Sequence, residues 1–481
     1  MKRVISLILS AALFLSVFPG AASAAQQPAF IRGMDVSSVL SLEQSGVRFF
    51  DENGREEDIF NILADNGVNY IRVRVWNAPY DSQGRGYGGG NCDVGAAKEI
   101  GRRAARFGMK LLVDFHYSDF WADPQKQQAP KEWKDYSLEE KCAALRQFTY
   151  DSLEEIKSAG AEIGMVQVGN ETTTGIAGET DFSKMARLFS AGAEAVRAFD
   201  PDVLVALHFT DPDREGHVRW LADTLAYYRV DYDVFAVSYY PFWHGSLDNL
   251  TEVLDYVAET CGKYTLVAET SYPFTLNDSD GFANTVSKGN NDTGDDLLWE
   301  FSVQGQREET RAVMNAMRSV SAHKGLGVFY WEGAWITVGD TTGLTGTEYE
   351  SRLAQNRELW ESNGSGWASR FAAEYDPDDA GLWYGGSAVD NQALFDAQGR
   401  ALPSLKAFLP SLLGDVNADG RIDVADATLV QYIAAELTDA DVTSRLCADV
   451  DHDGAVTVTD ATLIQRFAAE LETNAPIGEM I

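Results

Sequence analysis

Two short stretches place a carboxylate where an apolar run gives out. "MVQVGNE" ends on Gly169, Asn170 and Glu171, and "TLVAETS" carries Glu269. Apolar runs of this length read as buried strands, so both acids stand at strand ends. Two carboxyl groups facing each other across a glycosidic bond can hydrolyse it. One attacks the anomeric carbon; the other protonates the leaving oxygen and then activates water. For retention of configuration they must sit roughly 5–5.5 Å apart. An amide beside one acid adds a hydrogen bond to a sugar 2-hydroxyl that strengthens in the transition state. The two acids also need different surroundings, one kept protonated and one ionised. Arg74 and Tyr239, at other strand ends, are candidates to hold the ionised acid, and His116 and Trp331 to form the floor of a sugar site.

The elements that would position these residues recur along the chain. "FIRGMDVSS", "YIRVRVW", "KLLVDFH", "MVQVGNE", "VLVALHF", "VFAVSYY", "TLVAETS" and "GVFYWEG" alternate with amphipathic stretches such as "DVGAAKEIGRRAARF" and "EETRAVMNAMRSVSAHKG". Eight strand-and-helix units predict a (β/α)₈ TIM barrel, whose chemistry lies at the C-terminal ends of the strands. A doubly wound open sheet fits less well, because no glycine-rich phosphate loop follows the first strand. The "GRGYGGGNCD" stretch lacks a following Lys-Ser/Thr and reads as a surface loop. Trp76, Trp121, Trp133, Trp243, Trp331 and Trp335 fall at or after strand ends. Aromatic faces there can stack on sugars or simply pack, and Trp331 is the strongest candidate for stacking.

Bulk properties narrow the partners. The net charge of −34 over 481 residues argues against nucleic acid, which needs a basic surface, and suits a neutral polymer and metal cations. "MKRVISLILSAALFLSVFPGAASAAQQ" has a basic start, an apolar stretch and the small-x-small Ala22-Ser23-Ala24, which predicts a signal peptide over 1–24 and a secreted protein. No later run is long and apolar enough to span a membrane. Cys92, Cys142, Cys261 and Cys447 show no metal spacing, and their pairing is open.

Further motifs sharpen the barrel. "RGMDVSS", "RVRVWN", "DFHYSDFWADPQKQQAPKEW", "QVGNET" and "AETSYPF" resemble glycoside hydrolase family 53, over roughly residues 30–408. That resemblance implies a retaining endo-β-1,4-galactanase acting on the galactan (type I arabinogalactan) side chains of pectin, with Glu171 as acid/base and Glu269 as nucleophile. Another retaining endo-glycanase of the same clan, a mannanase or xylanase, is the first alternative. A non-catalytic carbohydrate-binding or scaffolding protein is the second. The catalytic domain is expected over 27–408 and to be monomeric.

Calcium is expected in two places. After the seventh strand, Asp278, Asp280 and Asn284 surround Gly281 with hard oxygen donors, although a solvated acidic turn has the same composition. Bacterial members of the family tie this loop to the eighth by a calcium ion, which adds Ser387 and Asp390 from "YGGSAVDNQALFD"; Phe282 departs from a side-chain ligand. Near the C-terminus, "DVNADGRIDVADATLVQYIAAEL" recurs 34 residues later as "DVDHDGAVTVTDATLIQRFAAEL". Each opens with a twelve-residue calcium loop. The first offers Asp415, Asn417, Asp419, the Arg421 carbonyl, Asp423 and Asp426; the second offers Asp449, Asp451, Asp453, the Ala455 carbonyl, Thr457 and Asp460. Gly420 and Gly454 stand where the loop turns. Position 12 is Asp and not Glu, and no entering helix precedes the first loop. These departures resemble the paired F-hand of a dockerin, an all-α calcium module over 412–474 that implies a cohesin-bearing scaffold as partner. Val424, Ala425, Val458 and Thr459 are where dockerins commonly choose a cohesin. The short "PSLLG" linker keeps the two domains close.

Overall fold

The computed structural model describes residues 29–288, 297–378, 380–382, 384–440 and 442–480. The expected signal peptide therefore lies outside the described residues. Strands β1 (Ile31–Asp35), β2 (Tyr70–Val75), β3 (Lys110–Phe115), β4 (Ile163–Val168), β5 (Leu204–Phe209), β6 (Val234–Ser238), β7 (Tyr264–Thr270) and β8 (Gly325–Tyr330) form one closed, parallel barrel in sequence order. It is the TIM barrel that the sequence predicts.

Alternation along each strand sorts the side chains. One set faces the surrounding helices and forms the main core. The other fills the barrel, where Leu112, Met165, Ala206, Leu266 and Phe329 make an apolar lower layer. Gly33 has no room for a side chain, because a Cβ there would lie 2.2 Å from the Phe329 ring. Above this layer the interior turns polar, with Asp35, Arg72, Asp114, Gln167, His208 and Ser238 all buried. Charge at this depth is tolerable only where it is paired, which these residues achieve among themselves.

Two local irregularities aim the acids. The β6–β7 register slips between Val237 and Ser238, so that Ser238 pairs with Glu269. Such a bulge turns a side chain that regular pairing would carry elsewhere. After β4, Gly169 takes φ 90° and Glu171 φ 44°, a left-handed conformation that a non-glycine residue adopts only when its surroundings enforce it.

The C-terminal module repeats itself. Helices Val424–Ala434 and Val458–Ala468 pack together, with Val442–Ala448 between them in sequence, around Leu413, Val430, Ile433, Val450 and Ile464. Asp426 and Asp460 each close a capping box and also accept backbone N–H groups from their own loop. The chain ends of the module meet: Leu412 bridges Met480 antiparallel, with Leu413 N donating to Glu479 O and Gly478 N to Leu413 O. The module rests on barrel helix Val303–Ser319, where Arg307 donates to the Ala418 carbonyl at 3.2 Å and Asn315 bonds the Thr443 hydroxyl. Cys92, Cys142 and Cys261 carry free thiols. Among the described residues, no helix is long and apolar enough to cross a membrane.

Candidate active site

A cleft of about 1,050 Å³ opens over the C-terminal ends of the strands and is lined by both Glu171 and Glu269. Glu269 is held from two sides. Arg72 Nη2 lies 2.8 Å from its Oε1, and the Tyr240 hydroxyl donates to its Oε2 at 3.0 Å. Arg72 reaches Glu269 from the far side of the barrel and also pairs with Asp35 (3.0 Å) and Asp114 (2.9 Å). Burial works against its charge, but Asp114, Glu269 and Asp35 together outweigh it and hold the guanidinium above its ordinary value.

Glu171 has weaker support. Its Oε1 accepts from Ser238 Oγ at 2.7 Å, and His208 Nε2 lies 2.9 Å from the same hydroxyl. Burial pushes the Glu171 carboxyl well above the usual range, and the charge of Glu269 adds to it. Burial raises Glu269 as well, but Arg72 and the Tyr240 hydroxyl act in the opposite direction there. Of the pair's two protons, the last to leave therefore belongs on Glu171. Burial keeps His208 well below its ordinary value and hence neutral.

Asn170 lines the cleft as expected. Its Oδ1 accepts from Arg72 Nη2 at 2.9 Å and its Nδ2 donates to Ala122 O at 2.9 Å, so the amide orientation is fixed and one N–H remains. Trp331 also lines the cleft, beside Trp121, Trp243 and Trp367. The Trp121 and Trp367 rings stack at 4.6 Å, 17° from parallel. Trp76, Trp133 and Trp335 are buried and take no part in the cleft.

Three expected contacts are corrected. Arg74 edges the cleft, but its guanidinium lies 2.6 Å from Glu332 and 4.5 Å above the Trp121 ring; the arginine on Glu269 is Arg72. Both face inward, two residues apart, and only Arg72 sits at the depth of Glu269. Tyr239 donates to Gly245 O at 2.9 Å, and the phenol on Glu269 is Tyr240, because adjacent residues leave a strand on opposite faces. His116 is 1% exposed and lies beneath the cleft. Its Nδ1 accepts from Trp76 Nε1 at 3.0 Å and its Nε2 faces Asp114 Oδ2 at 3.1 Å, so it props the wall and touches no floor.

Sequence reasoning also missed Ser238, Gln167 and Trp367. The first two follow from strand alternation; Trp367 sits on a long connection that gives no periodic signal.

Among the described residues, two groups of carboxylates could hold a cation. Carboxylate oxygens of Asp278, Asp280 and Asp390 lie within 4.8 Å of one another. Asn284 Nδ2 donates to Asp390, while its Oδ1 is buried with no hydrogen-bond partner among the described residues. Burial and the neighbouring Asp390 push Asp280 well up, and burial moves Asp390 to about 7. An orphaned acceptor beside mutually repelling buried carboxylates fits a hard dication. Ser387 gives its backbone N–H to Asp280, and its hydroxyl bonds the Trp335 carbonyl. In the module, Asp449, Asp451 and Asp453 converge in the same way, and Asp415, Asn417 and Asp419 repeat that loop's internal bonding.

Comparison with known proteins agrees with this geometry. A model of glycosyl hydrolase family 53 matches residues 31–408, and one of the dockerin type I domain matches residues 413–467. The chain is 57% identical over 379 residues to the endo-beta-1,4-galactanase of Bacillus subtilis, covering 79% of this chain and 85% of that one. It is 30% identical over 346 residues to the arabinogalactan endo-beta-1,4-galactanase of Cellvibrio japonicus, covering 69% and 87%. Among solved structures it is similar to the Ignisphaera aggregans GH53 catalytic domain, with a TM-score of 0.68 at 35% identity over 80% of this chain and 97% of that one. With the fold, the paired acids and these matches in agreement, the chain belongs to glycosyl hydrolase family 53 and carries a dockerin type I domain at its C-terminal end.

Proposed function

We propose that this chain is a secreted, retaining endo-β-1,4-galactanase that cuts the galactan side chains of pectin while its dockerin holds it on a cohesin-bearing scaffold. The observation that carries the reaction is the unequal setting of the two acids. Glu269 is braced by the Arg72 guanidinium and Tyr240, whereas Glu171 in the same cleft is held by the neutral Ser238 hydroxyl. Glu269 attacks the anomeric carbon as Glu171 passes its proton to the departing glycosidic oxygen. Glu171, now ionised, takes a proton from the water that cleaves the glycosyl ester, which restores both groups. The free N–H of Asn170 meets the 2-hydroxyl, and Trp331 offers its face to a sugar ring. The galactan assignment is supported by the relatives' named activities.

Calcium is structural in this reading. An ion held by Asp278, Asp280, Asn284 and Asp390, with Ser387 beside them, neutralises the buried carboxylates. It joins the loop after β7 to the 385–392 segment, and these supply Thr285, Val389 and Gln392 to the cleft. Two further ions fill the dockerin loops and supply much of that module's folding energy. The experiment is the release of reducing ends from purified galactan, mannan and xylan. Release from galactan is expected, and its absence would overturn the substrate.

A further inference from the structure

Outside the cleft, large aromatics are exposed together on one helix. On His217–Tyr228, Trp220 is 51% exposed, Tyr227 78% and Tyr228 40%. Trp220 and Tyr227 are seven residues apart, which puts them on one face about 10.5 Å apart along the axis. That is about the length of two sugar residues. The rings are packed on their neighbours: Trp220 lies nearly parallel to His217 at 6.0 Å and at a steep angle to Phe182 at 5.4 Å, Phe182 also stacks on Tyr228, and Tyr227 meets Tyr228 edge to face at 5.0 Å. Rings held this way lose little freedom when a ligand covers them.

The strip neighbours the cleft and approaches it at the adjacent residues Thr173 and Thr174. A hollow of about 470 Å³ lies against Trp220 and is lined by Thr173, Arg214 and His217. The same two turns supply Thr174, Thr210 and Asp211 to the cleft, and Thr173 Oγ1 accepts from Thr210 N. The His217 Nε2 is buried and has no hydrogen-bond partner among the described residues. Aromatic faces suit the C–H faces of neutral sugar rings, and a chain of net charge −34 disfavours a polyuronate.

We infer that Trp220 and Tyr227 form a non-catalytic binding platform for a neutral β-linked polysaccharide, which leaves the cleft across the Thr173 hollow and runs along this helix. The inference rests on the galactanase reading for the identity of the polymer. It predicts that long galactan binds more tightly than short oligosaccharides for reasons unrelated to the two acids.

The test uses the full chain carrying Glu269→Gln, so that polymer is bound and not consumed. Adding Trp220→Ala and Tyr227→Ala is expected to weaken retention on insoluble galactan roughly tenfold, on the scale of two lost ring contacts. Trp220→Phe with Tyr227→Phe should restore most of it. In the otherwise unsubstituted chain, the alanine pair should leave kcat/KM on a short soluble galacto-oligosaccharide unchanged. Unchanged retention, no retention of the parent, or equal loss on polymer and oligosaccharide would each overturn the inference. So would a dimer in sedimentation that the alanine pair dissociates, since the face would then belong to a second copy. Failure of the galactanase reading shows separately, as absence of reducing ends from galactan with the unsubstituted chain.

Discussion

The brace on Glu269 makes a quantitative prediction. Its two oxygens are held by Arg72 at 2.8 Å and by the Tyr240 hydroxyl at 3.0 Å. Tyr240→Phe removes one donor and keeps the ring. A hydrogen bond to an ionised group contributes about 1.5–3 kcal/mol. Its loss raises the Glu269 pKa and, at about 1.36 kcal/mol per factor of ten, lowers kcat/KM on the acid side about 10- to 100-fold. The sign is fixed, because the phenol binds the ionised form and removing it favours the protonated one. The attacking carboxylate then forms only at higher pH, so the acid limb of the kcat/KM profile moves up. The assay is kcat/KM across pH on a nitrophenyl galacto-oligosaccharide. Tyr239→Phe is the control, since that hydroxyl binds Gly245 O and should leave the limb in place. An acid limb that stays put in Tyr240→Phe, or moves equally in both variants, refutes the assignment of the brace.

Glu269→Ala should abolish turnover, and azide should restore it with inverted product; full activity without azide would remove the nucleophile. Glu309 is buried without a partner for Oε1, and burial pushes it up to about 8. The stability this group confers is fully present below about pH 4.5 and is lost as pH rises through 8. Glu309→Gln should therefore gain a few kcal/mol over the parent in urea melts at pH 8 and little at pH 5; an equal difference at both would contradict that origin. Chelation should remove amide-exchange protection from Val424–Ala434 and Val458–Ala468 and lower the melting temperature of the barrel; helices unaffected by chelation would separate the module's fold from calcium.

The eight strands were legible because each is a short apolar run stopped by polar residues, and a closed barrel buries both strand faces. Both acids were legible because they follow such runs directly. The partners of Glu269 were misread for want of a face. In "VFAVSYY" the inward set is Val234, Ala236, Ser238 and Tyr240, small until the rim, as a narrow interior requires. That signal selects Tyr240 over Tyr239. Arg72 and Arg74 share a face, and sequence gives no depth to choose between them. The slip at Ser238 left no mark in composition, since a bulge needs only one residue more and no special type.

Joining the two ends of the dockerin gives it a mechanical role. When a cohesin anchors the module and the barrel pulls against a fixed polymer, tension enters at Leu412. It is shared between the pairing of Leu413 with Gly478 and Glu479 and the barrel-helix contacts at Ala418, within the first calcium loop, and Thr443. The terminal clasp thus ties both ends of the module to one place, so that pulling on Leu412 draws on its last residues as well as its first.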